Sequence, residues 1–152
     1  MNLRASKPIE ILLIEDNPGD VRLIEEVLHE VKVRNRMTAI HNGIDALEFL
    51  YKQGRYSKAT SPGLILLDLN LPGKNGFEIL QEIKQNERLK YIPVVILTSS
   101  QSEQDIVRSY NLYANAYIPK PVGLEEFRAV VKAIEGFWLE IVRLPVEGAL
   151  EE

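Results

Sequence analysis

The sequence predicts an α/β fold: a doubly wound parallel sheet of five strands with helices on both faces. Two observations predict it. Ile11-Leu12-Leu13-Ile14, Leu64-Ile65-Leu66-Leu67 and Val94-Val95-Ile96-Leu97 are near-continuous apolar runs, the pattern of strands covered on both faces. Between them lie segments whose apolar residues recur at helical spacing. A third observation concerns chemistry. The three runs stop on Glu15-Asp16, on Asp68 and on Thr98, and the shorter run Ala116-Tyr117-Ile118 stops on Pro119-Lys120-Pro121. In a parallel sheet the carboxyl ends of the strands share one edge, where open α/β folds bind their ligands. Three carboxylates, a hydroxyl and an ammonium then converge on one pocket.

The elements follow in order. Asn17-Pro18 after the first strand is a capping residue followed by proline at the first helical position. Val21, Ile24, Leu28 and Val31 give that helix its apolar face. Met37 to Ile40 is a strand, and Gly43 to Tyr51 a short helix with Ile44, Leu47 and Leu50 inward. Gln53 to Gly63 is a polar loop. After the Asp68 strand, Leu71 to Gly76 is rich in turn residues, and Phe77, Ile79, Leu80 and Ile83 mark the next helix. Ser102 with Asp105 three residues on predicts an N-cap and a variant capping box, ahead of Ile106, Tyr110 and Tyr113. The last helix starts near Gly123-Leu124 and ends at Pro145. The Lys120–Pro121 bond is a candidate cis peptide. The chain of 152 residues reads as one domain with its core at about 8–143 and a frayed tail over 146–152.

Composition narrows the function. The net charge is −4 and no Lys/Arg-rich run appears, which argues against nucleic acid or an anionic membrane as partner. There is no cysteine, hence no disulfide and no thiolate metal site. Met1 to Pro8 lacks the apolar continuation of a signal peptide, and no run approaches the ~20 apolar residues that span a bilayer. The expected location is the cytoplasm.

The pocket suits metal-assisted phosphoryl chemistry. Mg²⁺ (or Mn²⁺) takes hard oxygen ligands, and Glu15, Asp16, Asp68 and the backbone carbonyl of Asn70 supply them. Asp68 is the natural nucleophile; Lys120 and the Thr98 hydroxyl are placed to contact phosphoryl oxygens. Taken singly, each residue has a plainer reading: a helix cap for Glu15-Asp16, a strand residue for Thr98, a solvated cation for Lys120. Their joint occurrence at successive strand ends makes the pocket specific.

These residues also carry a family resemblance. Glu15-Asp16, Asp68 within Leu-Leu-Asp-Leu-Asn-Leu-Pro-Gly-Lys-Asn-Gly, Thr98-Ser99-Ser100 and Lys120-Pro121 resemble the response-regulator receiver domain of two-component signalling, over roughly residues 8 to 143. The resemblance implies a flavodoxin-like sheet of order 2-1-3-4-5. It implies that Asp68 accepts phosphate from a histidine of a partner kinase. Asp16 would then bind Mg²⁺ directly, Glu15 mostly through water and Asn70 through its carbonyl. Thr98 and Tyr117 would form the switch, Tyr117 turning inward as Thr98 moves toward the phosphoryl group. A receiver of this kind is not an enzyme in the usual sense, since it assists only its own phosphorylation and dephosphorylation. Asp16-Asn17-Pro18-Gly19-Asp20-Val21-Arg22-Leu23, the 53–63 loop, Leu66 to Pro72 and Phe137-Trp138 further resemble the small cyanobacterial regulators paired with phytochrome kinases.

The last helix supplies an expectation of its own. Leu124, Phe127, Val131, Ile134, Trp138 and Ile141 fall at spacings of three and four, and Val130, Phe137 and Leu144 at seven. An α-helix from Gly123 to Leu144 is about 33 Å long and overhangs a strand of ~17 Å. Phe137 and Trp138 would then be exposed and, with Tyr110, Tyr113 and the Tyr117 strand, form a homodimer face. Three readings compete with a phosphate-switched module: an aspartate-nucleophile phosphatase built on Asp68-x-Asn70, an electron carrier, and a docking module that is never phosphorylated. The phosphatase reading is weakened because the acidic pair comes first and residue 70 is not an acid. The electron carrier lacks a hydroxyl-rich phosphate loop after the first strand.

Overall fold

Strands form where the apolar runs predict them. In the computed structural model, which describes residues 7–31 and 33–145, β1 spans Ile9–Ile14, β2 Asn35–Ile40, β3 Leu64–Leu67, β4 Val94–Thr98 and β5 Ala116–Pro119. All neighbours are parallel, in the order β2-β1-β3-β4-β5. Helices alternate with them: α1 Pro18–Glu30, α2 Gly43–Leu50, α3 Gly76–Gln85, α4 Glu103–Asn111 and α5 Leu124–Ile134. The tail over 146–152 and the residues before Lys7 lie outside the described residues.

The pleat divides the core in two. Leu12, Ile14, Ile65, Leu67, Val94 and Ile96 face α2 and α3, meeting Leu47, Leu50, Leu80 and Ile83. Ile11, Leu13, Leu64, Leu66, Val95 and Leu97 face α1 and α5, meeting Ile24, Val27, Phe127 and Val131. Two-sided burial is why the runs do not alternate with polar residues.

Side-chain caps start helices at Asn17 and Ser102, as the sequence predicts, and at Asn42 in addition. Asn17 Oδ1 accepts from Asp20 N at 3.0 Å, Asn42 Oδ1 from Asp45 N at 2.8 Å, and Ser102 Oγ from Asp105 N at 3.4 Å. The complete capping box is at Asn75 and Glu78. At Ser102 the box is absent, because the Asp105 carboxylate accepts from Ser100 Oγ at 2.6 Å instead. α4 buries only Ser109; Ile106 is half-buried, and Tyr110 and Tyr113 are exposed.

Several expectations are corrected. Ile44 points to solvent, since Gly43, Ala46, Leu47 and Leu50 already fill the inner face of α2. The 53–63 loop contains a short 3₁₀ turn at Gly54–Tyr56. No cis peptide occurs among the described residues, so Lys120–Pro121 is trans. The largest correction is at the last helix. It is α-helical only to Ile134; Glu135–Ile141 is π-helical, and the turn ends at Val142. A wider turn shifts the inward phase by one residue. The residue inside after Ile134 is therefore Leu139, 6% exposed, while Ile141 is 71% exposed. Leu124 is exposed too. Trp138 is half-buried against the α1–α5 side of the core, and Phe137 is exposed beside it, ring centroids 5.5 Å apart.

Candidate functional site

The site is built by the ends of β1, β3, β4 and β5. Backbone pairing runs one step beyond the strands: Asp68 N donates to Ile14 O at 3.0 Å, and Lys120 N to Thr98 O at 2.7 Å. This holds Glu15, Asp68, Thr98 and Lys120 at one level of the sheet edge. The order of strands reverses between β1 and β3, so the crevice opens there.

Lys120 organises the cluster. Its ammonium donates to Glu15 Oε1, to Asp20 Oδ2 at 2.8 Å and to Asp68 Oδ2 at 3.1 Å. Burial by itself would lower the pKa of this ammonium; the hydrogen bonds it donates to Asp20 and Glu15 and the charges of Glu15 and Asp68 outweigh that and raise it. Glu15 Oε2 accepts from Asn17 N at 3.2 Å. Asp68 Oδ1 accepts from Asn70 N at 3.2 Å. Burial pushes the Glu15 carboxyl up to about 7; the Lys120 hydrogen bond opposes this and the Asp68 charge adds to it.

Glu15, Asp16 and Asp68 each offer a carboxylate oxygen, all within 4.8 Å of one another. Two are buried and Asp16 is exposed. Hard oxygens at this spacing, with a carboxyl that cannot easily keep its charge, fit a divalent cation. Thr98 is fully buried, and its Oγ1 has no hydrogen-bond partner. A buried hydroxyl with no partner leaves a hydrogen-bonding group available at this edge of the sheet. Tyr117 is half-buried and donates to Ser100 O at 2.9 Å.

The Asp68 loop is closed by a glycine. Gly76 N donates to Leu69 O at 3.0 Å. A Cβ at Gly76 would lie 2.5 Å from Asp68 O and from Leu69 Cα. Only glycine allows α3 to start this close to the Asp68 backbone.

Residues 11–132 match the response regulator receiver domain. The chain belongs to this family. Among its relatives, response regulator Rcp1 of Synechocystis sp. is 46% identical over 145 residues, covering 95% of this chain and 99% of Rcp1. The structure of the Mn²⁺-bound form of Rcp1 superposes with a TM-score of 0.90 at 47% identity, covering 91% of this chain and all of that one. That of the phosphorylated cyanobacterial phytochrome response regulator RcpA gives 0.90 at 45%, covering 92% of this chain and all of that one. The receiver fold and strand order expected from the sequence are present, and the likeness to cyanobacterial regulators of this type holds along nearly the whole chain.

The structure places Glu15, Asp16, Asp68, Thr98 and Lys120 at one edge of the sheet, with Asn70 N donating to Asp68 Oδ1. The proposed interface residues lie elsewhere. Tyr110 and Tyr113 line a cavity with Asn115, whose side chain caps Val94 N at the opposite end of β4. Asp20 is the member that sequence reasoning missed. Its signal was its place: an acid in the first turn of the helix that follows the acidic pair.

Proposed function

We propose that this receiver accepts a phosphoryl group from the histidine of a partner kinase onto Asp68, in a reaction that depends on a divalent cation, and signals through a change of surface. The observation that carries this reading is Lys120, buried and bonded to Asp68 inside an acidic cluster beside the orphaned Thr98 hydroxyl. An Asp68 carboxylate oxygen attacks phosphorus, the P–N bond to the donor imidazole breaks, and its electron pair leaves with the nitrogen. Lys120 binds one phosphoryl oxygen and Thr98 donates to another. Glu15, Asp16, Asp68 and the Asn70 carbonyl would hold Mg²⁺ or Mn²⁺, which would supply positive charge to offset that of the phosphoryl oxygens. Asn70 N keeps the other Asp68 oxygen oriented.

The chain then works as a cytoplasmic switch that promotes its own phosphorylation and dephosphorylation. As Thr98 turns to the phosphoryl group, the space behind it admits Tyr117, which gives up its bond to Ser100 O. α4 responds readily because it buries so little. Tyr110, Tyr113, Phe137 and Trp138 make the homodimer face with β5 and α5, supported by the exposed rings of Tyr110, Tyr113 and Phe137. Sedimentation of Trp138→Ala at several concentrations tests this, and an unchanged monomer–dimer distribution contradicts it. The kinase is of phytochrome type, on the strength of the likeness to RcpA. Transfer from such a kinase in its labelled phosphohistidine form tests the function: label passes to the native chain and not to Asp68→Asn. Label reaching both equally contradicts it.

A further inference from the structure

Asp20 has no part in the phosphoacceptor reading, yet it holds one of that site's key groups. An ammonium has three N–H donors. In Lys120 all three are engaged, by Glu15 Oε1, Asp20 Oδ2 and Asp68 Oδ2. Glu15 and Asp68 also belong to the carboxylate triple that fits a cation; Asp20 does not. Of the three acceptors it alone serves Lys120 and nothing else. The contact joins residues 100 apart in the chain, so it is no by-product of local helix capping. Its geometry is fixed from both sides. Asp20 sits in the first turn of α1 with its backbone N bonded to the Asn17 cap at 3.0 Å. Lys120 is held by Thr98 O at its own backbone and has a side chain 9% exposed. The Asp20 side chain is 23% exposed, at the lip of the crevice.

We propose that Asp20 is a positioning residue that restrains Lys120 and sets the rate at which Asp68 takes up a phosphoryl group. This rests on Asp68 being the phosphoacceptor. A phosphoryl oxygen reaches Lys120 only by taking an N–H from one of the present acceptors. The Asp20 charge opposes that exchange twice: it occupies a donor, and it offsets part of the positive potential that attracts the phosphoryl group. A neutral residue at 20 leaves the ammonium in place on Glu15 and Asp68 but frees a donor and its charge. The expected acceleration is on the order of tenfold, the effect of one charge-assisted hydrogen bond on a rate.

The test uses the full chain with acetyl phosphate and Mg²⁺, following uptake by intact mass for the native protein, Asp20→Asn, Asp20→Ser and Asp20→Glu. In parallel, the ¹⁵N resonance of the Lys120 ammonium is recorded without metal. The two neutral variants are expected to take up phosphoryl about tenfold faster and to shift the Lys120 resonance; Asp20→Glu restores slow uptake. Uptake in both neutral variants that is unchanged or slower overturns the proposal, as does a Lys120 resonance that does not move. Neutral variants that disagree with each other also overturn it, since charge is what they share. A native chain that takes up no phosphoryl group overturns the phosphoacceptor reading itself, an outcome distinct from native uptake that ignores residue 20.

Discussion

Glu15 and Gly76 show how single residues govern this site. Burial lifts the Glu15 carboxyl from 4.5 to about 7. Between those values the folded chain keeps a proton that the unfolded chain has released. Metal-free stability therefore falls as pH rises through that window, and is highest below it. A divalent cation favours the ionised carboxyl, so Mg²⁺ is expected to flatten the fall. Urea unfolding at several pH values, with and without Mg²⁺, measures both; stability that rises from pH 5 to 7 without metal contradicts the assignment. Gly76→Ala places a methyl group against the Asp68 and Leu69 backbone. The expected cost is about 1–3 kcal/mol, read from the shift of the urea midpoint, together with slower phosphoryl uptake as Asp68 is displaced. A variant as stable as the native chain would show that the loop yields easily. Glu15, Asp68, Thr98 and Lys120 were legible in the sequence because strand ends announce themselves as the last residue of an apolar run. Asp20 was not, because a first-turn acid on a helix is common and only the fold brings it to Lys120.

At the level of elements, the legible parts are those where one pattern has one solution. The runs 11–14, 64–67 and 94–97 within β1, β3 and β4 are apolar throughout and have to be covered on both faces. The caps at Asn17 and Ser102 were equally plain, whereas those at Asn42 and Asn75 were not singled out. α2 and the last helix were harder, because spacing alone does not say which of two apolar rows faces inward. At α2 the space goes to Ala46 and Gly43, and Ile44 is left outside. In the last helix the row ending in Ile141 competes with one ending in Leu139. The π-helical turn settles the choice for Leu139. Leu139→Ala is therefore expected to cost about 2–5 kcal/mol, the cavity and transfer terms of a buried leucine. Ile141→Ala is expected to cost under about 0.5 kcal/mol, as exposed substitutions do. Urea midpoints for the two variants check this, and the reverse ranking would mean that a regular α-helix continues through Trp138. Since that turn carries Phe137 and Trp138, its register also decides which of the two rings faces solvent.

For the whole molecule, the fold sets the acidic site and the exposed aromatic rings apart. Asp68, Lys120 and the acidic pair occupy the carboxyl edge of the sheet. The exposed tyrosines lie near the start of β4, and Phe137 and Trp138 ride on the turn after α5. Between them lie Thr98 at the end of β4, Ser100 in the loop that follows and Tyr117 in β5, whose hydroxyl donates to Ser100 O. In the proposed relay, a phosphoryl group at one edge acts on the other face by shifting a two-state element. Thr98→Ala is expected to leave Asp68 able to accept phosphoryl while abolishing phosphorylation-dependent association; sedimentation before and after phosphorylation reads this, and association that persists contradicts the relay. Both predictions depend on Asp68 being the acceptor, and one experiment addresses that directly. The native chain and Asp68→Asn are incubated with acetyl phosphate and Mg²⁺ and weighed intact. The account predicts one phosphoryl group on the native chain alone, removed by hydroxylamine as an acyl phosphate is. An adduct of equal extent on both chains, or none on either at any Mg²⁺ concentration, contradicts it.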